Sequence, residues 1–191
     1  EVAARYVGKL HSWDVVNEPF WPGHKAPGGY RLGPWYDTFG TGYVRRAFER
    51  VAMVDRKTKL VLNEAQSERD DDVGLTVRKG LLQLVDELKQ AGVPLHAVGL
   101  QSHLQPRYPH DPGRFAEFLH ALADRGVDIY LTEFDVRDDT FPDDIAARDA
   151  AGPSGVVGVV KEGCRGTVAF RHDDATDGEH ADVDHLGAAP A

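Results

Sequence analysis

The sequence has little cysteine, no long apolar run and a deficit of positive charge. Cys164 is the single cysteine among 191 residues, so no internal disulfide can form and packing must stabilise the fold. No apolar run approaches the roughly 20 residues that a helix needs to cross a bilayer, which disfavours a membrane protein. Because 31 acidic residues outnumber 22 basic ones and the formal charge is −9, we expect no nucleic acid or anionic membrane as a partner. A neutral substrate is easier to accommodate.

The two ends of the chain differ from its middle. No positively charged segment with an apolar core follows Glu1, so we interpret the start as an interior point of a longer chain. Residues 150–191 are polar, rich in Gly and Asp, and lack a helical stripe of apolar residues. We predict a domain over residues 1–149 and an atypical, disordered tail over 150–191, in which 165–170 is the one candidate strand.

Between residues 10 and 136 a short apolar strand, a polar loop and an amphipathic helix recur in that order. The predicted strands are Ser12–Asn17, Lys59–Glu64, 96–103 and 128–133. The predicted helices lie between them over 43–52, 73–88 and 115–122, and the second and third end at glycine-containing turns. Near-continuous apolar strands that alternate with helices predict a parallel sheet covered by helices.

Polar side chains close each of the four predicted strands. They are Asn17, Glu18, Asn63, Glu64, Gln101, His103, Thr132 and Glu133. In a (β/α)8 barrel the carboxyl ends of all strands share one face, where the active site is built. A glycine-rich phosphate loop is absent from every strand-to-helix turn, so a nucleotide-binding doubly wound sheet loses support. We therefore predict an α/β fold of the (β/α)8 barrel type.

The loop over residues 19–40 is rich in Trp, Tyr, Pro and Gly. Long aromatic loops at the carboxyl ends of strands suit stacking on sugar rings, whose C–H groups form apolar faces. Trp and Tyr also bury well, so a loop that packs on itself remains equally open.

Glu18 and Glu133 are the candidate catalytic pair. On a barrel, the ends of strands separated by two others face each other across the mouth. Paired carboxylates there suit glycoside hydrolysis, in which one donates a proton to the departing sugar oxygen and the other attacks the anomeric carbon. A separation of about 5 to 5.5 Å between them predicts retention of configuration. A lone glutamate after a strand is usually solvated, but polar groups at four successive strand ends argue against that interpretation.

The neighbours of these glutamates suit supporting tasks. Asn17 can donate its amide to a sugar hydroxyl. Gln101 and His103 can hydrogen-bond Glu133 and so favour its ionised form, and Asp135 can fix the histidine.

The Asn63–Glu64 pair repeats the Asn17–Glu18 pair on the next strand. Three interpretations remain open for it: a second catalytic carboxylate, a binding residue on the acceptor side of the cleft, or a structural hydrogen-bonding pair. We expect no metal and no cofactor. The segment DATDG loosely resembles a calcium loop, but Ala175 occupies a ligand position and no bidentate glutamate closes it. We assign His172, His180 and His185 to a solvated tail.

The segments WDVVNEPF, VGLQSHL and YLTEFDV resemble those of family 10 glycoside hydrolases, the endo-1,4-β-xylanases, over about residues 8–149. Members of that family are retaining enzymes on a (β/α)8 barrel. The resemblance implies that this chain holds about strands four to seven, with an eighth as a further candidate. It also implies Glu18 as the acid/base, Glu133 as the nucleophile and Asn17 as a ligand of the sugar beside the scissile bond.

The same resemblance makes Gln101 and His103 orienting groups, with Asp135, Trp13 and Asn63 as supporting residues. Two departures from the family matter. Three βα units precede the Asn-Glu segment in that family, and a closing strand carries a tryptophan that caps the site. Here eleven residues precede that strand and no tryptophan follows Trp35. We therefore expect an incomplete barrel, with an exposed edge strand on each side of the gap.

Two functional classes follow from these features. The first is a retaining endo-1,4-β-xylanase that hydrolyses internal bonds of xylan. The second is an inactive fragment or carbohydrate-binding remnant of such an enzyme. The resemblance further implies a polysaccharide partner, a monomer, and a secreted or periplasmic location, because polymeric xylan cannot enter cells.

Overall fold

The computed structural model of the chain describes residues 1–105 and 107–136. The predicted division at residue 149, the predicted tail with its candidate strand and histidines, and Cys164 lie outside the described residues. None of the helices in the described part combines the length and the hydropathy required to span a bilayer.

Helices and strands alternate along the described residues. The helices are α1 (Val2–Arg5), α2 (Pro34–Phe39), α3 (Gly42–Val54), α4 (Asp72–Gln90) and α5 (Pro112–Asp124). The strands are β1 (Ser12–Asn17), β2 (Lys59–Glu64), β3 (Ala97–Leu100), β4 (His103–Leu104), β5 (Asp128–Leu131) and β6 (Asp135–Val136). Short 3₁₀ turns at Pro22–His24 and Pro27–Gly29 lie in the loop after β1. Strands β1, β2, β3 and β5 pair in that order, all parallel, which confirms the predicted parallel sheet covered by helices.

Two of the predicted strands are shorter in the structure. β1 and β2 have the predicted bounds, but β3 ends at Leu100, which pairs with Leu131 at the end of β5. Ser102 then adopts a φ of 58°, a left-handed conformation through which a strand cannot continue. The chain forms instead the short parallel pair of β4 and β6. The predicted extensions to His103 and Glu133 are therefore wrong, and both residues lie beyond the four-stranded sheet.

Alternation along the strands separates two faces of the sheet. On β2, Leu60 and Leu62 belong to the core that the helices share, whereas Val61 packs with Ala97 and Tyr130. Because residues two apart in a strand share a face, the next residue on the Val61 side is Asn63. The face turned away from the helical core therefore carries the polar carboxyl end of β2.

The ends of the long helices follow from capping. Asp71 and Asp111 precede α4 and α5, and each carboxylate accepts the backbone amide three residues later at 3.1 Å. Gly92 and Gly126 follow the two helices with φ values of 68° and 67°. Only glycine reaches this region without strain, so the predicted glycine stops are confirmed.

Helix α4 contacts the loop after β1 through a glycine. Phe20 is fully buried, and a Cβ atom placed on Gly80 would lie 2.6 Å from the Cε1 atom of its ring. The centroid of the same ring lies 4.7 Å from that of Tyr30. Gly80 therefore allows Phe20, which is two residues beyond Glu18 in the sequence, to pack directly against α4.

We predict that Gly80→Ala destabilises the protein by about 1–3 kcal/mol. The clash of the new methyl group with the buried Phe20 ring should outweigh the helix propensity of about 1 kcal/mol that alanine adds. Urea unfolding followed by circular dichroism measures this change. Gly42→Ala in α3, where a Cβ would meet no atom within 4 Å, is the matched control and should leave stability unchanged or raise it. Equal effects of the two substitutions would contradict the packing argument.

Candidate active site

Glu18 follows β1 directly and adopts a left-handed backbone conformation with a φ of 50°. Its amide donates to the carbonyl of Asn63 on β2 at 2.8 Å, so the parallel ladder extends to this residue. Arg31 holds the other side: its Nε donates to the Glu18 carbonyl at 2.9 Å, and its Nη2 pairs with Glu18 Oε2. A non-glycine residue in this region is uncommon, and here several contacts determine its conformation.

Glu133 lies between β5 and β6, and two residues donate to its carboxylate. Asn63 Nδ2 donates to Glu133 Oε1 at 2.9 Å, and His103 Nε2 lies 3.3 Å from Glu133 Oε2. The other nitrogen of the histidine, Nδ1, lies 2.9 Å from Asp135 Oδ1. The predicted contacts of His103 with Glu133 and of Asp135 with His103 are therefore present.

Three side-chain amides connect the two glutamates. Gln101 Nε2 donates to Glu18 Oε1 at 3.0 Å and to Asn17 Oδ1 at 3.1 Å. Asn63 Nδ2 donates to the same Asn17 oxygen at 3.0 Å as well as to Glu133. A continuous chain of hydrogen bonds thus runs from Glu18 to Glu133.

The sequence-based placement of Gln101 against Glu133 is wrong, because Gln101 donates to Glu18 and Asn17. Asn63 takes the contact with Glu133 instead. The reason is geometric: the Gln101 side chain, which follows β3, extends past β2 to the residues at the end of β1. Strand order in the sequence does not give the direction of these side chains.

The structure favours the structural interpretation of the Asn63–Glu64 pair. Both residues are 1% exposed. Asn63 donates to two site residues and its Oδ1 accepts the Thr132 hydroxyl at 2.7 Å. Gly99 on β3 provides the space for this amide, because a Cβ there would lie 2.4 Å from Asn63 Oδ1. Burial raises the pKa of Glu64 to about 8 against the opposing amide hydrogen bonds of Ala65 and Phe20.

The groups around His103 shift the pKa of its imidazole. Burial lowers the pKa of His103, but the hydrogen bonds and charges of Asp135 and Glu133 together outweigh burial. The pKa of His103 is therefore raised above its ordinary value. Only the protonated imidazole has a donor on each nitrogen, so it is the form that donates to both carboxylates at once.

Arg31 was not identified from the sequence. It lies in the aromatic loop, 13 positions from Glu18, with its guanidinium carbon 4.4 Å from the centroid of the Trp21 ring. No spacing rule links these residues, and the only signal is that Arg31 is the single arginine in the loop over 19–40. Only the folded conformation of the loop brings the Arg31 side chain to the Glu18 carboxylate.

The remaining predicted residues lie away from this network. Trp13 is near the amino end of β1, paired in register with Leu60 and edge-to-face with Tyr6 at 6.1 Å between ring centroids. It packs against the hydrophobic core. In the aromatic loop, Phe20 and Tyr30 are buried, as a self-packed loop requires, whereas Trp35 is 68% exposed. Within the described residues no group of three or more His, Cys, Asp or Glu side chains is arranged to hold a metal ion.

A parallel βα sheet with two carboxylates linked at the carboxyl ends of its strands is typical of barrel-type glycoside hydrolases. A model of glycosyl hydrolase family 10 matches residues 1–162. The chain belongs to this family, and the predicted incomplete (β/α)8 barrel fold is confirmed by its structural neighbours. Xylanase 10B from Thermotoga maritima superposes with a TM-score of 0.75 and 25% identity over 88% of this chain and 50% of that one.

Three further relatives support the assignment. Endo-1,4-beta-xylanase C from Phanerodontia chrysosporium is 37% identical over 71% of this chain and 32% of its own length. Endo-1,4-beta-xylanase A from Caldicellulosiruptor sp. (strain Rt8B.4) is 35% identical over 71% of this chain and 19% of its own length. Xylanase 10B from Thermotoga petrophila RKU-1, solved in complex with xylobiose, is 31% identical with a TM-score of 0.62, over 71% of this chain and 38% of that one. The chain thus spans well under half the length of these three relatives.

We predict that Asp135→Asn lowers the pKa of His103, because burial remains while the stronger of its two carboxylate partners loses its charge. The measurement is an NMR titration of the imidazole nitrogens. Asp124→Asn, the same change at an exposed position at the end of α5, is the control. An unchanged titration in Asp135→Asn would contradict the assigned cause.

We also predict that Glu64→Gln changes how stability depends on pH. The folded protein keeps Glu64 protonated up to about pH 8, whereas the unfolded chain releases that proton near pH 4.5, so the wild type loses stability as pH rises through this interval. The variant lacks this loss, which amounts to at most about 1.4 kcal/mol per pH unit. Urea unfolding at pH 5, 6.5 and 8 should show the stability of Glu64→Gln rising relative to the wild type. Glu117→Gln, at an exposed position of α5, is the control, and parallel curves for wild type and Glu64→Gln would refute the prediction.

Proposed function

We propose that this chain carries the catalytic residues of a retaining endo-1,4-β-xylanase that hydrolyses internal β-1,4 bonds of xylan by double displacement. One observation carries the proposal: Glu18 and Glu133, from opposite edges of the four-stranded sheet, are joined by a shared network of amides. Two carboxylates held in relation to each other are what glycoside hydrolysis requires.

Glu133 is the nucleophile in this proposal. It must be ionised to attack the anomeric carbon, and Asn63 and His103 contact its two carboxylate oxygens. The two contacts fall on different oxygens, so they also fix the plane of the carboxylate. Asp135 holds the imidazole from its other nitrogen.

Glu18 is the acid/base. Its carboxyl group donates a proton to the departing sugar oxygen and later removes one from the attacking water. Gln101 contacts one oxygen and Arg31 the other, so the group is oriented from two sides. Substrate must compete with these contacts for the same oxygens.

Asn17 binds a sugar hydroxyl beside the scissile bond. The network determines the orientation of the Asn17 amide. Gln101 and Asn63 each donate to a carboxylate through the side-chain nitrogen, and the same nitrogen of each residue faces Asn17. The Asn17 atom that accepts from both is therefore its oxygen. Its NH₂ group is thereby left to donate, and the residue is exposed. A hydroxyl on the sugar is the matching acceptor.

Xylan is the proposed substrate on two grounds. Curated relatives bear the name endo-1,4-beta-xylanase, and one structural relative is solved with xylobiose. The negative formal charge suits a neutral polysaccharide better than an anionic one. Action outside the cytoplasm belongs to the same proposal, because a polymer of this size does not enter cells.

A second candidate is a sugar-binding part without turnover. Its supporting observation is length, because the chain spans 19 to 38% of the curated relatives. The same network around Asn17 would then hold a sugar without cleaving it.

The decisive experiment is reducing-sugar release from soluble β-1,4-xylan by the purified chain and by Glu133→Ala. We expect release by the wild type and a fall of at least about a thousandfold in the variant, since the nucleophile is lost. Glu117→Ala on α5 is the matched control and should retain activity. NMR of the first product should show the β-anomer.

Each other outcome has a defined meaning. A wild-type chain that is folded by circular dichroism but releases no sugar would reject the enzyme and leave the sugar-binding candidate. Substantial release by Glu133→Ala would show that another group is the nucleophile.

A further inference from the structure

Four backbone polar groups of residues 18–20 take part in hydrogen bonds. Glu18 donates to the Asn63 carbonyl, and its own carbonyl accepts Arg31 Nε at 2.9 Å. The Pro19 carbonyl accepts the Arg31 amide at 2.8 Å. Pro19 has no N–H group, so the first backbone donor after Glu18 is the amide of Phe20.

A buried carboxyl group accepts that amide. Phe20 N donates to Glu64 Oε2 at 3.0 Å, while Glu64 Oε1 accepts the amide of Ala65 at 2.8 Å. Glu64 is 1% exposed and ends β2, the strand whose carbonyl already binds Glu18. Both ends of the turn are therefore anchored on the same strand.

The Phe20 ring fixes the same point from its side chain. It is held between Gly80 of α4 and Tyr30 and is fully buried. The ring alone would allow the peptide plane to rotate, and the hydrogen bond to Glu64 removes that freedom. The left-handed Glu18, with a φ of 50°, lies between these anchors.

We propose that Glu64 is a positioning residue for the acid/base carboxyl of Glu18. By accepting the Phe20 amide, it fixes the turn that directs the Glu18 side chain toward the scissile bond. This inference rests on the proposed function of Glu18. It assigns Glu64 no contact with substrate and no proton in the reaction.

The electrostatics of Glu64 agree with this role. Burial raises its pKa, so the group is neutral over the acidic and neutral pH range. The charges of Glu18 and Arg31 oppose each other in their effect on Glu64. A neutral Glu64 can therefore serve as an anchor without placing a second negative charge beside Glu18.

The test compares two aryl β-xylobiosides whose leaving groups differ in acidity. A dinitrophenolate leaves without needing a proton, whereas a phenol with an unactivated ring requires the acid. We expect Glu64→Leu, which has similar bulk but no acceptor, to lower kcat/KM about 10- to 100-fold for the unactivated substrate. The fall for the dinitrophenyl substrate should stay within about threefold. Glu64→Gln, which keeps an acceptor oxygen, should restore the unactivated substrate to within about threefold of the wild type.

Glu68→Leu is the control for loss of a buried glutamate. Glu68 is 4% exposed, and in the described part it does not bond the segment that carries Glu18. Its loss should change both substrates by the same factor. Equal losses for both substrates in Glu64→Leu, or no loss for either, would overturn the proposal.

Amide hydrogen exchange provides a second measurement that needs neither activity nor a stable Leu variant. The Phe20 and Glu18 amides should exchange at least about tenfold faster in Glu64→Leu, and measurably faster in Glu64→Gln, relative to Val16 in the same strand. Exchange raised equally along the whole strand, or not at all, would overturn the proposal. A wild type inactive on the dinitrophenyl substrate would reject the proposed function, and the exchange data alone would then decide whether Glu64 fixes this turn.

Discussion

The side chain of Asn63 is the group on which the arrangement of the site depends. Its nitrogen donates to Asn17 and to Glu133, its oxygen accepts the hydroxyl of Thr132, and its backbone carbonyl accepts the amide of Glu18. These contacts join three strands of the sheet. Because an amide has both donors and an acceptor in one rigid plane, no apolar or charged side chain of this size could replace it. Full burial makes an unmet bond at this position costly, which favours a single arrangement.

The two carboxylates connected by this amide have different surroundings. Glu133 contacts an imidazole that is itself held by a second carboxylate, so its partners are polarised toward it. Glu18 contacts a guanidinium and a glutamine, in a turn that a buried carboxyl group anchors. The two carboxylates are therefore oriented by different partners, an imidazole–carboxylate pair and a buried amide at Glu133 and a guanidinium with an amide at Glu18.

Periodicity and residue type were sufficient for the larger features. The bounds of β1 and β2, the order of strands and helices and the glycine stops all follow from local rules, because each depends on a few neighbouring residues. The pairing of His103 with Asp135 also followed, since both lie at adjacent strand ends. Local rules do not predict the left-handed turn at Ser102 that shortens β3, because no glycine at this position indicates a positive φ.

The features that the sequence did not predict depend on which way side chains extend across the sheet. Gln101 on β3 reaches Glu18 and Asn17 at the end of β1, and Arg31 lies 13 positions from Glu18 in a loop whose conformation no spacing rule describes. The role of Glu64 is hidden for another reason. A carboxyl group at a strand end looks catalytic in sequence, and only its burial shows that it serves the backbone.

Strand register links the folding of this protein to its chemistry. Asn17 is paired with Asn63, and Asn63 with Gly99, on one rung of the sheet. A slip of β2 by one residue would turn Asn63 toward the helical core and Leu62 toward the opposite face of the sheet, which carries the site. The same slip would bury the Asn63 amide without hydrogen-bond partners and place Leu62 in the space beside Gly99 that this amide occupies. The hydrogen bonds that link the two carboxylates would then be lost. A chain in the wrong register would therefore lose stability and the link between the two carboxylates together.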